Sequence, residues 1–325
     1  MSSTEGLEKR WYEDLPPPWW TVPIASLYGL AVRIRRDCYR WKRSDRMPVP
    51  VIVVGNINVG GVGKTPLVIA LVEALRARGF KPGVVSRGHG GSARAPTLLR
   101  ENPDPFVVGD EPALIRLRTG APVAVGRDRP AAARLLVDQD VDVVVADDGL
   151  QHHALARDME ICVVDGVRRF GNERLLPAGP LREPLSRLDE VDFLVCNGGE
   201  PQKNEIPMRL RAEIAHNLRD GSTRPLGEFA DTRVHAVAGI GYPRRFFGML
   251  RGHGIDPLEH AFPDHHAYVA ADLEFDDDLP VLMTEKDAVK CRAFARGNWW
   301  SVPVSAELPE AFPDALAASL RGARR

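Results

Sequence analysis

From Met47 onward the chain alternates short, almost wholly apolar runs with polar or glycine-rich clusters. The runs are residues 48–56, KPGVVSRG (81–88), PVAVGRDR (122–129), VDVVVADDG (141–149), MEICVVDG (159–166) and DFLVCNGG (192–199). Continuous valine-rich apolarity marks strands buried on both faces, as in a parallel sheet. Between the first two runs, KTPLVIALVEALRARG (64–79) places Leu67, Leu71, Ala74 and Leu75 on one helical stripe and stops at Gly79. Strand and helix in alternation predict an α/β fold, a parallel sheet with helices on both faces. Beyond NGGEPQKNE (197–205), which reads as a linker, VHAVAGIG (234–241), PVLMTEKD (280–287) and WWSVPVS (299–305) alternate with helical segments at 242–252 and near 286–295. The expected division is an N-terminal segment (1–44), a first α/β domain (45–205) and a smaller C-terminal α/β domain (206–325).

The N-terminal segment has its own pattern. No charge occurs from Leu15 to Val32, but Pro16, Pro17, Pro18 and Pro23 interrupt the stretch. They predict regular helix only over about its last dozen residues, too few to cross ~30 Å of hydrocarbon. Glu5, Glu8 and Glu13, with no small-residue cleavage site after them, argue against a cleaved leader. Trp19, Trp20, Ile24, Leu27, Tyr28, Leu30 and Val32 precede Arg33, Arg35, Arg36, Arg40, Lys42 and Arg43. That apolar-then-basic layout suits a helix lying on an anionic bilayer surface, and it suits equally a helix packed on its own domain.

Composition narrows the classes. With 325 residues, 44% hydrophobic and 27% charged, the chain is neither collagen-like, low-complexity nor disulfide-stapled. The 43 Lys+Arg against 44 Asp+Glu leave no surplus positive charge for a dominant nucleic-acid role. Cys38, Cys162, Cys196 and Cys291 lie far apart without zinc or redox spacing, which fits a reducing, cytosolic compartment.

In a parallel sheet the ligand crevice lies at the carboxyl ends of the strands, so the strand tails hold the candidate chemistry. The first tail, GNINVGGVGKT (55–65), joins strand to helix through a glycine-rich turn. It departs from G-x-x-x-x-G-K-[ST] only at Asn58, which is expected to contact the nucleotide together with Gly60, Gly61 and Gly63, and these glycines leave the backbone amides free to face phosphate. Lys64 would reach the β/γ-phosphates and Thr65 would place its hydroxyl on Mg²⁺. The second tail carries Asp147 and Asp148, adjacent carboxylates whose repulsion a cation would offset. Together the two tails favour ATP·Mg²⁺ as ligand.

More individual strings accompany them: SRGHGG (86–91), VGDEP (108–112), VGRDR (125–129), DDGLQHH (147–153), PAGPLREP (177–184), FPDHH (262–266) and TEKDAVK (284–290). In this order, from about residue 20 to 290, they resemble the tetraacyldisaccharide 4'-kinases, the lipid A 4'-kinases of Gram-negative bacteria. Asn58 and His89 depart from the residues common there. The resemblance implies transfer of the ATP γ-phosphoryl group to the 4'-hydroxyl of a tetraacylated glucosamine disaccharide 1-phosphate, a step of lipopolysaccharide biosynthesis. It also implies peripheral association with the cytoplasmic face of the inner membrane, with no obligate protein partner.

Carried over to this chain, the resemblance makes Asp110 the proton acceptor and His265 its orienting partner, with Asp264 as rival to His265. It assigns Ser86, Arg87, Gln151, His152, Arg182 and Glu183 to the substrate crevice. Arg182 is the first choice for a substrate phosphate, because a forked guanidinium matches its oxygens. Arg127 and Arg129 sit at another strand tail and would stabilise the transferring phosphate. For Glu285, Lys286 and Asp287 helix capping is the default. The wide separation of Asp110 and His265 implies that the C-terminal part folds back over the phosphate crevice. Two other functions stay open on the residues alone: a P-loop NTPase acting as a switch or in metal delivery, and a noncatalytic membrane-surface binding protein.

Overall fold

In a computed structural model of the chain, residues 3–13, 15–41 and 44–323 are described. Two helices, α1 (Ser3–Tyr12) and α2 (Thr21–Trp41), precede the first strand, β1 (Val51–Gly55). There follow α3 (Lys64–Ala77), β2 (Pro82–Ser86), β3 (Thr97–Leu98), α4 (Pro105–Val108), α5 (Asp110–Thr119), β4 (Val123–Val125) and α6 (Arg129–Val137). Next come β5 (Val143–Ala146), β6 (Met159–Asp165), β7 (Phe193–Asn197), β8 (Glu205–Arg211), β9 (Ile214–Asn217) and β10 (Thr223–Pro225). The last elements are β11 (Arg233–Ala238), α7 (Pro243–Gly252), β12 (Asp256–Ala261), β13 (Val281–Thr284), α8 (Glu285–Cys291), β14 (Trp299–Val302), β15 (Ser305–Glu307) and α9 (Ala311–Ala323).

They build two sheets. The larger has the order β15-β8-β7-β6-β1-β5-β2-β4-β3, parallel apart from its two edge strands β3 and β15. Its central strands are the apolar runs, and β1, β2, β4, β5 and β6 are buried along their whole length. The chain winds from β1 to one side through β2, β4 and β5, then crosses to β6, β7 and β8 on the other. The loop after β1 therefore sits where the winding reverses, the usual place for a ligand crevice. The smaller sheet runs β10-β9-β14-β13-β11-β12.

Two expectations change here. The domain boundary between 205 and 206 falls at the start of β8, which pairs in parallel with β7 and so extends the larger sheet. The polar string before it is a turn, and β8 alternates exposed with buried residues, a pattern weaker than that of the central strands. The C-terminal end also returns to the larger sheet. β15 pairs with β8, while Phe312, Leu316 and Leu320 of α9 are buried in the same cluster as Leu67, Leu71 and Leu75 of α3.

In the N-terminal segment the helix begins where expected, at Thr21, and runs on beyond Val32 to Trp41. Pro23 is the third residue of α2, where a backbone N–H has no intrahelical acceptor to lose. Thr21 closes the start, its backbone N–H and its hydroxyl both donating to the carbonyl of Pro18. Thr21 and Ala25 are buried and Tyr28, Gly29, Val32 and Arg36 half-buried, a stripe at helical spacing that faces the protein. Away from it Trp19 is 84% exposed and Leu27 68%, with Trp20, Ile24, Leu30 and Ile34 exposed as well. The helix thus packs on its own chain by one face and presents apolar side chains on the other. Lys42 and Arg43 of the expected basic run lie outside the described residues.

Candidate active site

The turn between β1 and α3 is shaped by glycines at two positions. Gly60 and Gly63 have φ of +101° and +93°, a region costly for any side chain, and a Cβ on Gly63 would run into the Asn197 amide. Asn197, at the tail of β7, donates to the carbonyl of Val62 (2.9 Å) and pins the turn. Lys64 donates to Asn56 Oδ1 (3.0 Å) and lies 3.3 Å from Asp148 Oδ1. Gly60, Gly61, Gly63, Lys64 and Thr65 all line a cleft of about 1460 Å³, so the amide cradle faces an open space.

Asn58 does not reach that cleft. It is 1% exposed, donates weakly to the carbonyl of Arg169 and accepts from the Asn56 amide. The position occupied by glycine in the usual motif is here a buried support for the turn. This replaces the expected nucleotide contact, because a buried amide whose bonds are satisfied internally has nothing left to offer a ligand.

Asp147 and Asp148 follow β5. Asp147 is 1% exposed, and its Oδ2 accepts from the Ser86 hydroxyl (3.1 Å), while Oδ1 has no partner. Burial first, then the charges of Glu111 and Asp148, raise its pKa to about 7. Burial pushes Asp148 the same way, but Lys64 and Arg182 outweigh it and hold the group down at about 2. One carboxylate is thus neutralised by fixed cations and the other is left short of one. An unpartnered buried carboxylate oxygen beside the Thr65 turn fits a magnesium ion. No group of three or more metal-ligating side chains occurs among the described residues, so the protein would supply only part of the coordination, the remainder falling to phosphate and water.

Around the cleft the expected substrate residues separate into two sets. Ser86, Arg87, Arg127, Gln151, His152 and Arg182 line it. Glu183 is 1% exposed behind it, accepting from Gln151 Nε2 (2.6 Å) and paired with Arg187 at 3.3 Å, so it supports Gln151 instead of meeting a ligand. Arg129 reaches the cleft lining although only 2% exposed, and it donates to the carbonyl of Asp147 (2.8 Å), which fixes the strand tail that carries both aspartates. His152 is kept neutral near pH 7, its pKa lowered to about 4 by burial and then by the guanidinium groups of Arg129, Arg157, Arg35 and Arg87. Tyr28 of α2 donates to the carbonyl of Arg182 (3.1 Å) and tethers that helix to the cleft wall.

Asp110 opens α5, after Gly109 at φ +94° and ψ 151°. Although 155 positions apart in sequence, Asp110 and His265 meet: the imidazole Nδ1 lies 3.0 Å from both carboxylate oxygens. Asp110 is 4% exposed and His265 covers it, forming the cleft surface with a side chain 21% exposed. The hydrogen bond to Asp110 raises the His265 pKa. Burial works against ionisation of Asp110, but the His265 hydrogen bond and the Lys286 charge prevail and lower its pKa. The two shifts agree in sense and describe an imidazolium–carboxylate pair. His89 packs edge-on against the His265 ring at 4.8 Å.

Glu285, Lys286 and Asp287 do more than cap α8. Thr284 is the cap, accepting from the Asp287 N–H. Lys286 Nζ bridges Glu111 Oε1 and Asp264 Oδ1, 3.0 Å from each, and Asp264, the rival to His265, lies 3.8 Å from His265 Nε2 while His265 takes the place beside Asp110. Glu285 accepts from Arg118 (2.6 Å), and Asp287 accepts from the backbone N–H of Gly239 (2.8 Å). The bonds to Glu111 and Arg118 dock α8 on α5, and that to Gly239 ties it to the end of β11. Asn56, Asn197, Glu111 and Lys286 were not among the expected site residues, although both asparagines sit at or just beyond strand tails, where ligand-side groups are found.

The chain matches the family described as tetraacyldisaccharide-1-P 4'-kinase over residues 18–321. It is 53% identical over 318 residues to the tetraacyldisaccharide 4'-kinase of Stenotrophomonas maltophilia, covering 94% of each chain. With the protein of the same name from Nitrosococcus oceani the identity is 50% over 317 residues, covering 96% of this chain and 94% of the other. Among solved structures it superposes on LpxK from Aquifex aeolicus in complex with ATP with a TM-score of 0.76 and 27% identity, covering 94% of this chain and 98% of that one.

Proposed function

Because the chain belongs to the tetraacyldisaccharide-1-P 4'-kinase family, we propose for its cleft the following division of labour. The protein is a kinase that uses ATP with Mg²⁺ to phosphorylate the 4'-hydroxyl of an acylated glucosamine disaccharide 1-phosphate, the lipid A precursor. The observation that carries the residue assignments is that the glycine-rich turn at Gly60–Thr65 and His265, which is hydrogen-bonded to the Asp110 carboxylate beneath it, line one cleft.

The amides of residues 60–65 and the Lys64 ammonium receive the triphosphate at the start of α3, where the helix dipole favours negative charge. Thr65 and Asp147 would hold Mg²⁺, which when bound would supply positive charge to the phosphate oxygens. Phosphoryl transfer needs little covalent help from protein; it needs alignment and an outlet for the hydroxyl proton. Asp110 receives that proton, and His265, hydrogen-bonded to it at the cleft wall, orients the carboxylate. Arg127, which lines the cleft, faces the transferring phosphoryl group, while Arg87, Arg182, Gln151 and His152 hold the acceptor.

The acceptor is a lipid and stays in a bilayer, so the exposed face of α2 serves as the contact with the cytoplasmic leaflet of the inner membrane. Supporting this are the apolar side chains left uncovered from Trp19 to Ile34 and the exposed arginines at 33 and 35. No helix among the described residues is long and apolar enough to cross a membrane. Purified protein incubated with ATP, Mg²⁺ and the acylated disaccharide 1-phosphate in mixed micelles is expected to give the bisphosphorylated lipid. Lipid-independent ATP hydrolysis with no phospholipid product would overturn the assignment in favour of a switch-type NTPase.

A further inference from the structure

Behind the Asp110–His265 pair lies a second buried cation. Lys290 is the last lysine of TEKDAVK, one helical turn after Lys286 on α8, so both lysines project from α8 toward the start of α5. Lys286 takes the outer position at Glu111 and Asp264. Lys290 takes the inner one: its side chain is 5% exposed, and Nζ lies 3.6 Å from Asp110 Oδ2 and 3.0 Å from Asp287 Oδ1. The Tyr268 ring covers the ammonium from 5.0 Å. None of these contacts has hydrogen-bond geometry, so the protons of Nζ are uncommitted.

A buried, uncommitted ammonium is costly unless the charges around it are needed. Asp287 accounts for part of it: its Oδ2 accepts from the Gly239 N–H (2.8 Å) and the Thr284 hydroxyl (2.6 Å), while its Oδ1, which has no hydrogen-bond donor, faces Nζ at 3.0 Å. Asp110 is the second carboxylate at this ammonium: one oxygen is bonded to the Glu111 N–H, both oxygens face His265, and Lys290, which does not line the cleft, lies 3.6 Å from Oδ2.

We propose that Lys290 is a positioning residue for phosphoryl transfer: from the C-terminal sheet unit it fixes the orientation of the Asp110 carboxylate and keeps it ionised beneath His265. This rests on the reading of Asp110 as proton acceptor. It assigns a task to α8 beyond docking, since the acceptor group on α5 is completed by a charge from a different part of the fold. The groups facing Asp110 are then His265 from the loop after β12, Lys286 and Lys290 from α8, and the backbone N–H of the neighbouring Glu111.

The test is a double-mutant cycle on the full-length protein, with the acylated disaccharide 1-phosphate in mixed micelles, ATP and Mg²⁺. Lys290→Met is expected to lower kcat by about 10-fold or more, a part of the 10²–10⁴ that a general base contributes. ATP affinity by titration should stay within about twofold, and the acid limb of the kcat profile should move to higher pH. Lys290→Arg should recover most of the loss. In an Asp110→Asn background Lys290→Met should cost almost nothing further. Lys290→Met/Asp287→Asn, which removes the ammonium together with its other carboxylate, should fold yet stay as slow as the single variant. An undiminished kcat in Lys290→Met, the same loss in the Asp110→Asn background, or recovery in the Asp287 double variant would each overturn the proposal. If Asp110→Asn itself turns over normally, the proton-acceptor reading falls and Lys290 falls with it; if Asp110→Asn is slow and Lys290→Met is not, only Lys290 falls.

Discussion

Asp110 keeps a charged carboxylate at 4% exposure because three cations from elsewhere in the chain converge on it. Its folded pKa lies below the ordinary 3.8, so its share of stability is present above 3.8 and lost as pH falls through the folded value. His265 is shifted the other way, above 6.5, so its share is complete below 6.5 and lost as pH rises through its folded value. The pair therefore stabilises in full from about pH 4 to 6.5 and weakens on either side. Thermal melts of wild type and His265→Gln should differ most in that window and converge as pH climbs past the folded imidazole value. A difference that grows toward alkaline pH would rule out the ion pair. Of the residue-level features, the P-loop lysine and threonine were legible from spacing alone. The burial of Asn58 and Glu183 was not, because a polar residue in a motif string carries no mark of which way its side chain turns.

At the scale of elements, the turn from β1 into α3 works because Gly60 and Gly63 adopt conformations closed to other residues. Gly63→Ala combines positive φ with a clash at the Asn197 amide, costing about 1–3 kcal/mol of backbone strain. It should abolish ATP-induced thermal stabilisation while leaving far-UV circular dichroism native, and normal ATP binding by this variant would exclude the turn as the phosphate site. Helix α2 carries a separate prediction. Burying Leu27 or Trp19 in a bilayer is worth about 1.5–3 kcal/mol each, so Trp19→Asp or Leu27→Asp should weaken binding to anionic vesicles by about tenfold or more. Activity on detergent-dispersed acceptor should change little, and unchanged vesicle binding in both variants would remove α2 as the membrane contact. The pattern of apolar and basic residues announced an amphipathic helix. It left open which face docks on the protein, a matter decided by Thr21, Ala25 and Gly29, the last approached closely by Leu175.

The whole molecule is closed by its own C-terminus. Residues 305–323 leave the smaller sheet, pair with β8 and lay α9 across α3, so the helix that follows the phosphate turn is buttressed by the end of the chain. Phe312 is 4% exposed and meets Phe193 edge-on at 5.3 Å. Phe312→Ala should lower stability by about 3–5 kcal/mol in denaturant titration, and a loss below 1 kcal/mol would mean that α9 is not part of the core. Sequence by itself determined the buried strands, a parallel sheet with helices on both faces and the glycine-rich turn after the first strand, because each is written in local patterns: apolar runs, glycines at strict spacing, charge at the ends of strands. The resemblance carried by its strings added the pairing of residues 110 and 265 and a chemistry for it. Only tertiary structure decided that β8, β15 and α9 belong with the larger sheet and that Lys286 and Lys290 converge on α5. Those outcomes depend on long-range pairing and on which side of a helix is shielded from water, and neither leaves a periodic trace along the chain.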